Sequence, residues 1–278
     1  MSSFVFFSVL AAAFLHAAWN ALIKHGSNKF ASLLVMALFE GLIALAIIVT
    51  KPWPAADVWP WLLASGAIHT IYMYALANAY EHGDLSRVYP ISRGAAPMIV
   101  LALGALLLAD RLTLPETLGI IVLGFGIMTM AHGVFSQGES RRLLPFALLT
   151  ASATAAYTLV DGLGARIAGD AMAFVAWMFF LEAVMFSTLA IALGRASLPH
   201  MDARGWLSGA LAAAASYGAY LIAVWAMTKA PIALVSALRE TSILFAVLIG
   251  WLLFGDRMHR GKAIAALLIV AGVILTRL

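Results

Sequence analysis

Ten apolar runs, each about as long as a bilayer is thick, take up nearly all of this chain. A helix needs roughly 20 predominantly apolar residues to cross the hydrocarbon layer. The runs fall at about 3–23, 31–50, 58–80, 86–108, 113–134, 143–165, 171–193, 205–228, 231–254 and 260–277. Each is continuously apolar, where a barrel strand would alternate. The breaks between them are short, hold most of the Lys, Arg, Pro and Asp residues, and leave no room for a soluble domain. Lys51-Pro-Trp-Pro is a turn with interfacial tryptophans. With 64% hydrophobic and 11% charged residues, against about 45–50% and about 25% in soluble domains, the chain has lipid as its solvent. The fold class is an all-α membrane protein of ten transmembrane helices. The run from Ser3 to Ile23 has no basic leader region and reads as the first span.

The chain repeats itself. Moving 146 residues along, with no gap, carries Arg93 onto Arg239, Asp110-Arg111 onto Asp256-Arg257, Gly126 onto Gly272 and Tyr74 onto Tyr220. Glu40 meets Glu182 at a shift of 142, and His16-Ala-Ala-Trp-Asn-Ala-Leu meets Thr154-Ala-Ala-Tyr-Thr-Leu-Val at 138. Two five-helix repeats are expected, over residues 1–135 and 143–278, joined by the polar loop 136–142. Five is odd, so the second copy enters the membrane from the opposite side. Such inverted repeats place one site near the midplane of secondary transporters. Ten Lys and Arg residues lie in the loops after runs 1, 3, 5, 7 and 9, and five on the other side. That bias favours the first set being cytoplasmic.

Ionisable side chains at membrane depth are costly and face a cavity or pair with one another. Arg93 and Arg239 each lie about seven residues inside a run. A guanidinium is always charged and fits a carboxylate or phosphate bidentately. The competing reading is a structural ion pair, Arg93 with Glu40, or Arg239 with Glu182 or Glu240. Glu40 and Glu182 are candidates for proton coupling or for permanent counter-ions, and Glu240 for a counter-ion. Tyr89 shares a helical face with Arg93. Run six carries Thr150, Thr154, Tyr157, Thr158 and Asp161 on one stripe; run one carries His16, Trp19 and Asn20 in the matching place. His69, Tyr72 and Tyr74 on run three and Tyr217 and Tyr220 on run eight add an aromatic wall. Aromatic walls with a few polar handles suit a small-molecule cavity. Taken singly, each of these residues is more simply an interhelical hydrogen bond or a gap filler; together, on the runs that would pair across the repeat, they favour a cavity. The substrate-binding candidates are Trp19, Asn20, His69, Tyr72, Tyr74, Tyr89, Arg93, Tyr157, Asp161, Tyr217, Tyr220 and Arg239.

The chain contains no cysteine, which excludes disulfides and thiolate chemistry. It has no H-E-x-x-H, no G-x-S-x-G and no P-loop, so an enzyme is not expected, nor a metal or cofactor. The net charge of +4 is spread over loops and is no nucleic-acid patch. The expected partners are a small-molecule substrate and the bilayer, with the chain a monomer or a homodimer.

Asp110-Arg111-Leu-Thr and Asp256-Arg257, with the trailing glycines Gly119, Gly124, Gly126 and Gly272, resemble the EamA family of the drug/metabolite transporter superfamily. Asp-Arg stands where that family usually has Glu-Arg. His16-Ala-Ala-Trp-Asn-Ala-Leu-Ile-Lys, Tyr89-Pro-Ile-Ser-Arg-Gly and Ala237-Leu-Arg-Glu-Thr-Ser are similar to one subgroup of it. The resemblance covers nearly the whole chain. It implies a ten-helix inverted repeat, a central cavity lined by runs 1, 3, 4, 6, 8 and 9, a bacterial inner membrane, and both termini inside, against the Lys/Arg count. The function it supports is a secondary transporter, with export the expected direction, moving a small polar or anionic metabolite such as an amino acid or organic acid. The alternative is a proton-coupled exporter of drugs or organic cations that uses Glu40 and Glu182 as its binding charges.

Overall fold

A computed structural model of the chain describes residues 1–24, 29–82, 96–108, 110–135, 143–195, 202–254 and 260–278. All its regular structure is helical among these residues: α1 Ser3–Lys24, α2 Lys29–Ile48, α3 Trp59–His82, α4 Ala96–Leu107, α5 Leu114–Phe135, α6 Leu143–Ala168, α7 Ala171–Ala192, α8 Ala203–Met227, α9 Ile232–Arg239, α10 Ser242–Phe254 and α11 Arg260–Leu275. Six stretches are long and apolar enough to cross a membrane, and three shorter apolar helices accompany them. Large apolar side chains such as Phe4, Phe7, Leu106 and Leu252 point outward, as they do when lipid replaces water.

The run at 231–254, expected as one helix, is two. α9 stops at Arg239, Glu240 follows as its cap, and α10 resumes at Ser242. The cause is local. The Thr241 amide and hydroxyl both donate to the Leu238 carbonyl, at 3.1 and 2.7 Å, which satisfies the group that a continuing helix would have used. Thr and Ser side chains compete in this way with the helical ladder. Backbone irregularity at membrane depth is tolerated where protein or a cavity covers it, and Arg239 to Ser242 are all buried.

The broad helix pairings join one half of the chain to the other. α3 packs along α6 and α1 along α8; α2 packs on α7, α5 on α11 and α4 on α9. Exchanging the halves turns the α1–α8 pairing into α6–α3, turns α3–α7 into α8–α2, and leaves the α2–α7 and α5–α11 pairings unchanged. The glycines mark where the self-paired helices cross. A Cβ on Gly119 would lie 2.7 Å from the Gly272 carbonyl, and one on Gly272 would lie 2.7 Å from the Gly119 carbonyl. A Cβ on Gly126 would meet the Ala265 carbonyl at 3.1 Å, and the 146-residue shift carries Gly119 onto Ala265 and Gly126 onto Gly272. α5 and α11 thus touch through the backbone on both sides of one point. At the α2–α7 crossing, Gly41 faces Ala183, with 2.7 Å between Cβ positions. These two are counterparts at the 142-residue shift, and each directly follows its glutamate, Glu40 or Glu182.

One face of the bundle is fastened by charge. Asp110, from the Asp-Arg motif, takes a bidentate contact from Arg166 at 2.8 and 3.0 Å. It also accepts from the Ile232 amide at 2.9 Å. Arg166 further donates to the Met227 and Ala230 carbonyls. One aspartate therefore ties the loop before α5 to the end of α6 and the start of α9. Lys51 and Asp170 pair at 2.7 Å on the same side, and Arg277 bonds the Met1 carbonyl there.

Candidate functional site

The buried polar side chains converge where α2 and α7 cross. The residues around this point are His16, Trp19, Met36, Glu40, His69, Tyr72, Met73, Tyr157, Phe179, Glu182, Ser216, Tyr220 and Arg239. They enclose a water-accessible space of about 30 Å3, enough for on the order of one or two waters. Helical phase accounts for the membership. His69, Tyr72 and Met73 share one face of α3, Met36 and Glu40 one face of α2, Phe179 and Glu182 one face of α7, and Ser216 and Tyr220 one face of α8, all at spacings of three or four.

On the α7 side a chain of polar groups is assembled. His69 Nε2 lies 2.9 Å from Asp161 Oδ2. The Tyr220 hydroxyl donates to the same oxygen. Across the ring, His69 Nδ1 is 3.8 Å from Glu182 Oε2, too long for a hydrogen bond. The imidazole stacks on Tyr157 with centroids 4.2 Å apart. Asp161 is fully buried and His69 nearly so.

Glu40, on the other side, is 1% exposed, and neither of its oxygens has a hydrogen-bond partner among the described residues. Ser216 is near enough to act on its charge but outside hydrogen-bonding geometry. Arg239 closes the cavity from the last turn of α9, where the negative end of a helix favours a cation. It is 6% exposed, and its guanidinium lies 5.1 Å from the centre of the Tyr220 ring. Among the described residues that ring is its contact, with no hydrogen-bond acceptor or carboxylate in reach. Among the described residues no ion pair joins Arg239 to Glu182 or Glu240. Glu240 instead caps α9, its amide donating to the Ala237 carbonyl, and stands outside the cavity.

Of the substrate-binding candidates, Trp19, His69, Tyr72, Tyr157, Tyr220 and Arg239 line this space, as do Glu40 and Glu182. Asp161 acts one layer back, through His69 and Tyr220. Asn20, Tyr74 and Tyr217 do not line it. Asn20 turns its amide to the His16 carbonyl at 2.8 Å. Tyr217 stacks behind Phe179, with centroids 4.9 Å apart. Tyr74 packs into the side of the core. Thr150, Thr154 and Thr158 each bond the carbonyl one turn earlier, which leaves Asp161 as the stripe's polar contribution to the site. Tyr89 and Arg93 lie outside the described residues, as does Asp256. Phe179, Ser216, Met36 and Met73 were not anticipated, although each stands three or four places from a residue that was.

A crystal structure of another protein, 15% identical in sequence, matches 100% of this chain and 99% of its own with a TM-score of 0.78. At that identity the likeness concerns the fold alone. No curated protein matches the sequence. The model of the EamA-like transporter family matches twice, over residues 3–131 and 142–278. Together these two matches cover nearly the whole chain, one on each repeat, so this is a multi-pass membrane protein of the drug/metabolite transporter superfamily and belongs to the EamA-like transporter family.

Proposed function

We propose that the chain carries a small metabolite with an anionic group, an amino acid or an organic acid, by alternating access between two inverted five-helix repeats, 1–135 and 143–278. The single observation that carries this reading is Arg239: a buried, permanently charged side chain that faces the cavity and, among the described residues, has no carboxylate in ion-pair contact. A buried charge left unpaired is expensive, and one that faces a cavity is positioned for a ligand of opposite sign. A substrate carboxylate would lie on the guanidinium, with Tyr220 below it and Trp19, Tyr72 and Tyr157 as walls. Glu40, bare on the opposite wall, would take an ammonium group and so favours an amino acid over a simple acid. Arg93, the counterpart of Arg239 in the repeat, would serve the matching half of the path.

The enclosed space is too small for such a metabolite, so loading requires the helix pairs around it to part. That is what alternating access asks of an occluded state. With no nucleotide motif in the sequence, the driving force is a gradient. Export, and a bacterial inner membrane, are the direction and location that the family resemblance favours. The cation-exporter reading rests on the same bare Glu40.

Thermal stability of the purified protein in detergent separates the two, because a ligand that binds only the folded state raises it. Small carboxylates and amino acids should stabilise the wild type and leave Arg239→Ala unmoved. If organic cations alone stabilise, and Glu40→Gln abolishes the effect while Arg239→Ala does not, the anion reading fails and the site belongs to the glutamates.

A further inference from the structure

His69 stands between two buried carboxylates, and the two sides of its ring are unequal. On the Nε2 side, Asp161 Oδ2 receives both the Tyr220 hydroxyl and the imidazole. The tautomer that lets this oxygen accept from His69 as well as from Tyr220 puts the hydrogen on Nε2. A neutral imidazole has one N–H, and Nδ1 is then a bare lone pair. It faces Glu182 Oε2, also without a hydrogen-bond partner among the described residues, across 3.8 Å. Two acceptors face each other in a buried place with one hydrogen missing between them.

We propose that the gap between His69 Nδ1 and Glu182 Oε2 is a proton-binding site, and that a proton held there tightens the grip of Arg239 on an anion. The incoming proton forms one N–H bond on Nδ1. The ring becomes an imidazolium that donates to Asp161 on one side and to Glu182 on the other. On release that bond alone breaks and the lone pair returns. Held, the proton ties α7, through Glu182, to α3 and α6; released, it leaves two acceptors in opposition across the joint.

The sign of the coupling follows from the charges around the ring. Asp161 and Glu182 favour the proton. Arg239 lines the same cavity, and its positive charge opposes it. Glu40 acts on Glu182 across the α2–α7 crossing. Tyr157 and Tyr72 present neutral rings on the α6 and α3 sides, and His16 reaches the cavity from α1. An anion on Arg239 neutralises the cation that, among the described residues, opposes the proton, so anion and proton bind cooperatively, and each must strengthen the other by the same factor. The coupling rests on the anion reading of Arg239. It makes the pair co-travellers, moving in the same direction in one transport cycle.

The probes are acetate and sulfate, whose charge stays fixed from about pH 6 to about pH 8, a window that spans an ordinary histidine titration. Wild-type affinity should rise as pH falls, by no more than about tenfold per unit for one proton. His69→Gln, which keeps a donor toward Asp161, should still bind the anion with that dependence gone, and Glu182→Gln should flatten it as well. A pH-independent wild type, or an unchanged slope in His69→Gln, overturns the coupling. If neither anion binds at any pH, the anion reading fails with it. The proton site itself is read without ligand, from 15N-histidine spectra, where seven histidines allow the His69 signal to be assigned by its loss in His69→Gln. A second N–H appearing on acidification in wild type and not in Glu182→Gln upholds the site; a ring that keeps a single N–H overturns it.

Discussion

Glu40 and Glu182 occupy the same place in their two repeats and keep different company. Each stands one residue before the α2–α7 crossing at Gly41 and Ala183, each is at most 2% exposed, and both line one cavity. Glu182 faces an imidazole that is itself anchored by Asp161 and Tyr220. The position matching Asp161 in the first repeat is Ile23, and Glu40 has Ser216 and Tyr217 near it with no hydrogen-bond partner among the described residues. Duplication has kept the backbone frame and let the chemistry diverge. The frame is constrained by packing that tolerates almost no change, while the site needs two unlike halves if one is to hold an ammonium group and the other a proton.

The sharpest test of that contrast is where the repeats remain alike. Gly119→Ala and Gly272→Ala each push a Cβ to within 3 Å of backbone. Both should therefore lower the thermal stability of the purified protein by similar, large amounts, on the order of 1–3 kcal/mol each. Gly261→Ala, with open space around it, should do nothing. Unequal effects at Gly119 and Gly272 would break the symmetry of the frame.

The next test is where they differ. Glu40→Gln replaces a buried carboxyl, without a hydrogen-bond partner among the described residues, by a side chain that never ionises, and should stabilise the ligand-free protein at alkaline pH by about 1 kcal/mol or more. Glu182→Gln strips the His69 ring of its facing carboxylate and should not stabilise. Equal melting shifts in the two variants would mean that the glutamates are chemically alike after all.

Tyr74 and Tyr220 are counterparts of the same kind. Tyr220→Phe loses a hydrogen bond to a buried carboxylate, worth about 1.5–3 kcal/mol. Tyr74 offers its backbone carbonyl to Asn78, so Tyr74→Phe should stay within about 0.5 kcal/mol of wild type. Urea melts of the two variants in detergent measure the difference.

The smallest effect lies on the surface. Lys51 lies just past the end of α2 and binds Asp170, while the matching place after α7 has Leu193. Partial burial would raise the Asp170 carboxyl, but it is outweighed by the Lys51 hydrogen bond and by the Ala173 and Met172 amides, which hold it below the usual carboxylate range. Its folded value lies under its unfolded one. The pair's contribution is therefore complete above the ordinary carboxylate range and is lost as pH falls through the folded value. Lys51→Ala should flatten this acid-side slope by a few tenths of a kcal/mol, as for other exposed pairs, in melts between about pH 5 and about pH 3.

Much of this was legible in the sequence, because lipid allows few ways of satisfying a backbone and run length reports the spans. The break at Glu240-Thr241 was hidden, since four polar residues inside a 24-residue apolar run do not interrupt it on average; a threonine hydroxyl aimed at Leu238 does. In the site, residue type exposed Glu40, Glu182 and Arg239 because charge inside a membrane is rare. The His69–Asp161 bond joins residues 92 apart on helices from different repeats, and no local spacing could announce it. Tyr74 and Tyr217 stand off this cavity by helical phase, two residues past Tyr72 and one past Ser216.

The cross-repeat pairing also sets a timetable for synthesis. When the first half has left the ribosome, α1, α2 and α3 are in the membrane without α8, α7 and α6, the helices they will pack against. At about 5–20 residues per second, the next 140 or so residues take roughly 7–30 seconds to arrive. During that interval Glu40, with no α7 against it, must rely on lipid headgroups, water or a chaperone. A truncated message, or a stall in the loop after α5, delivers a set of helices with no bundle to form. Quality control of this protein has to recognise an orphan half that is fully inserted and wholly unassembled.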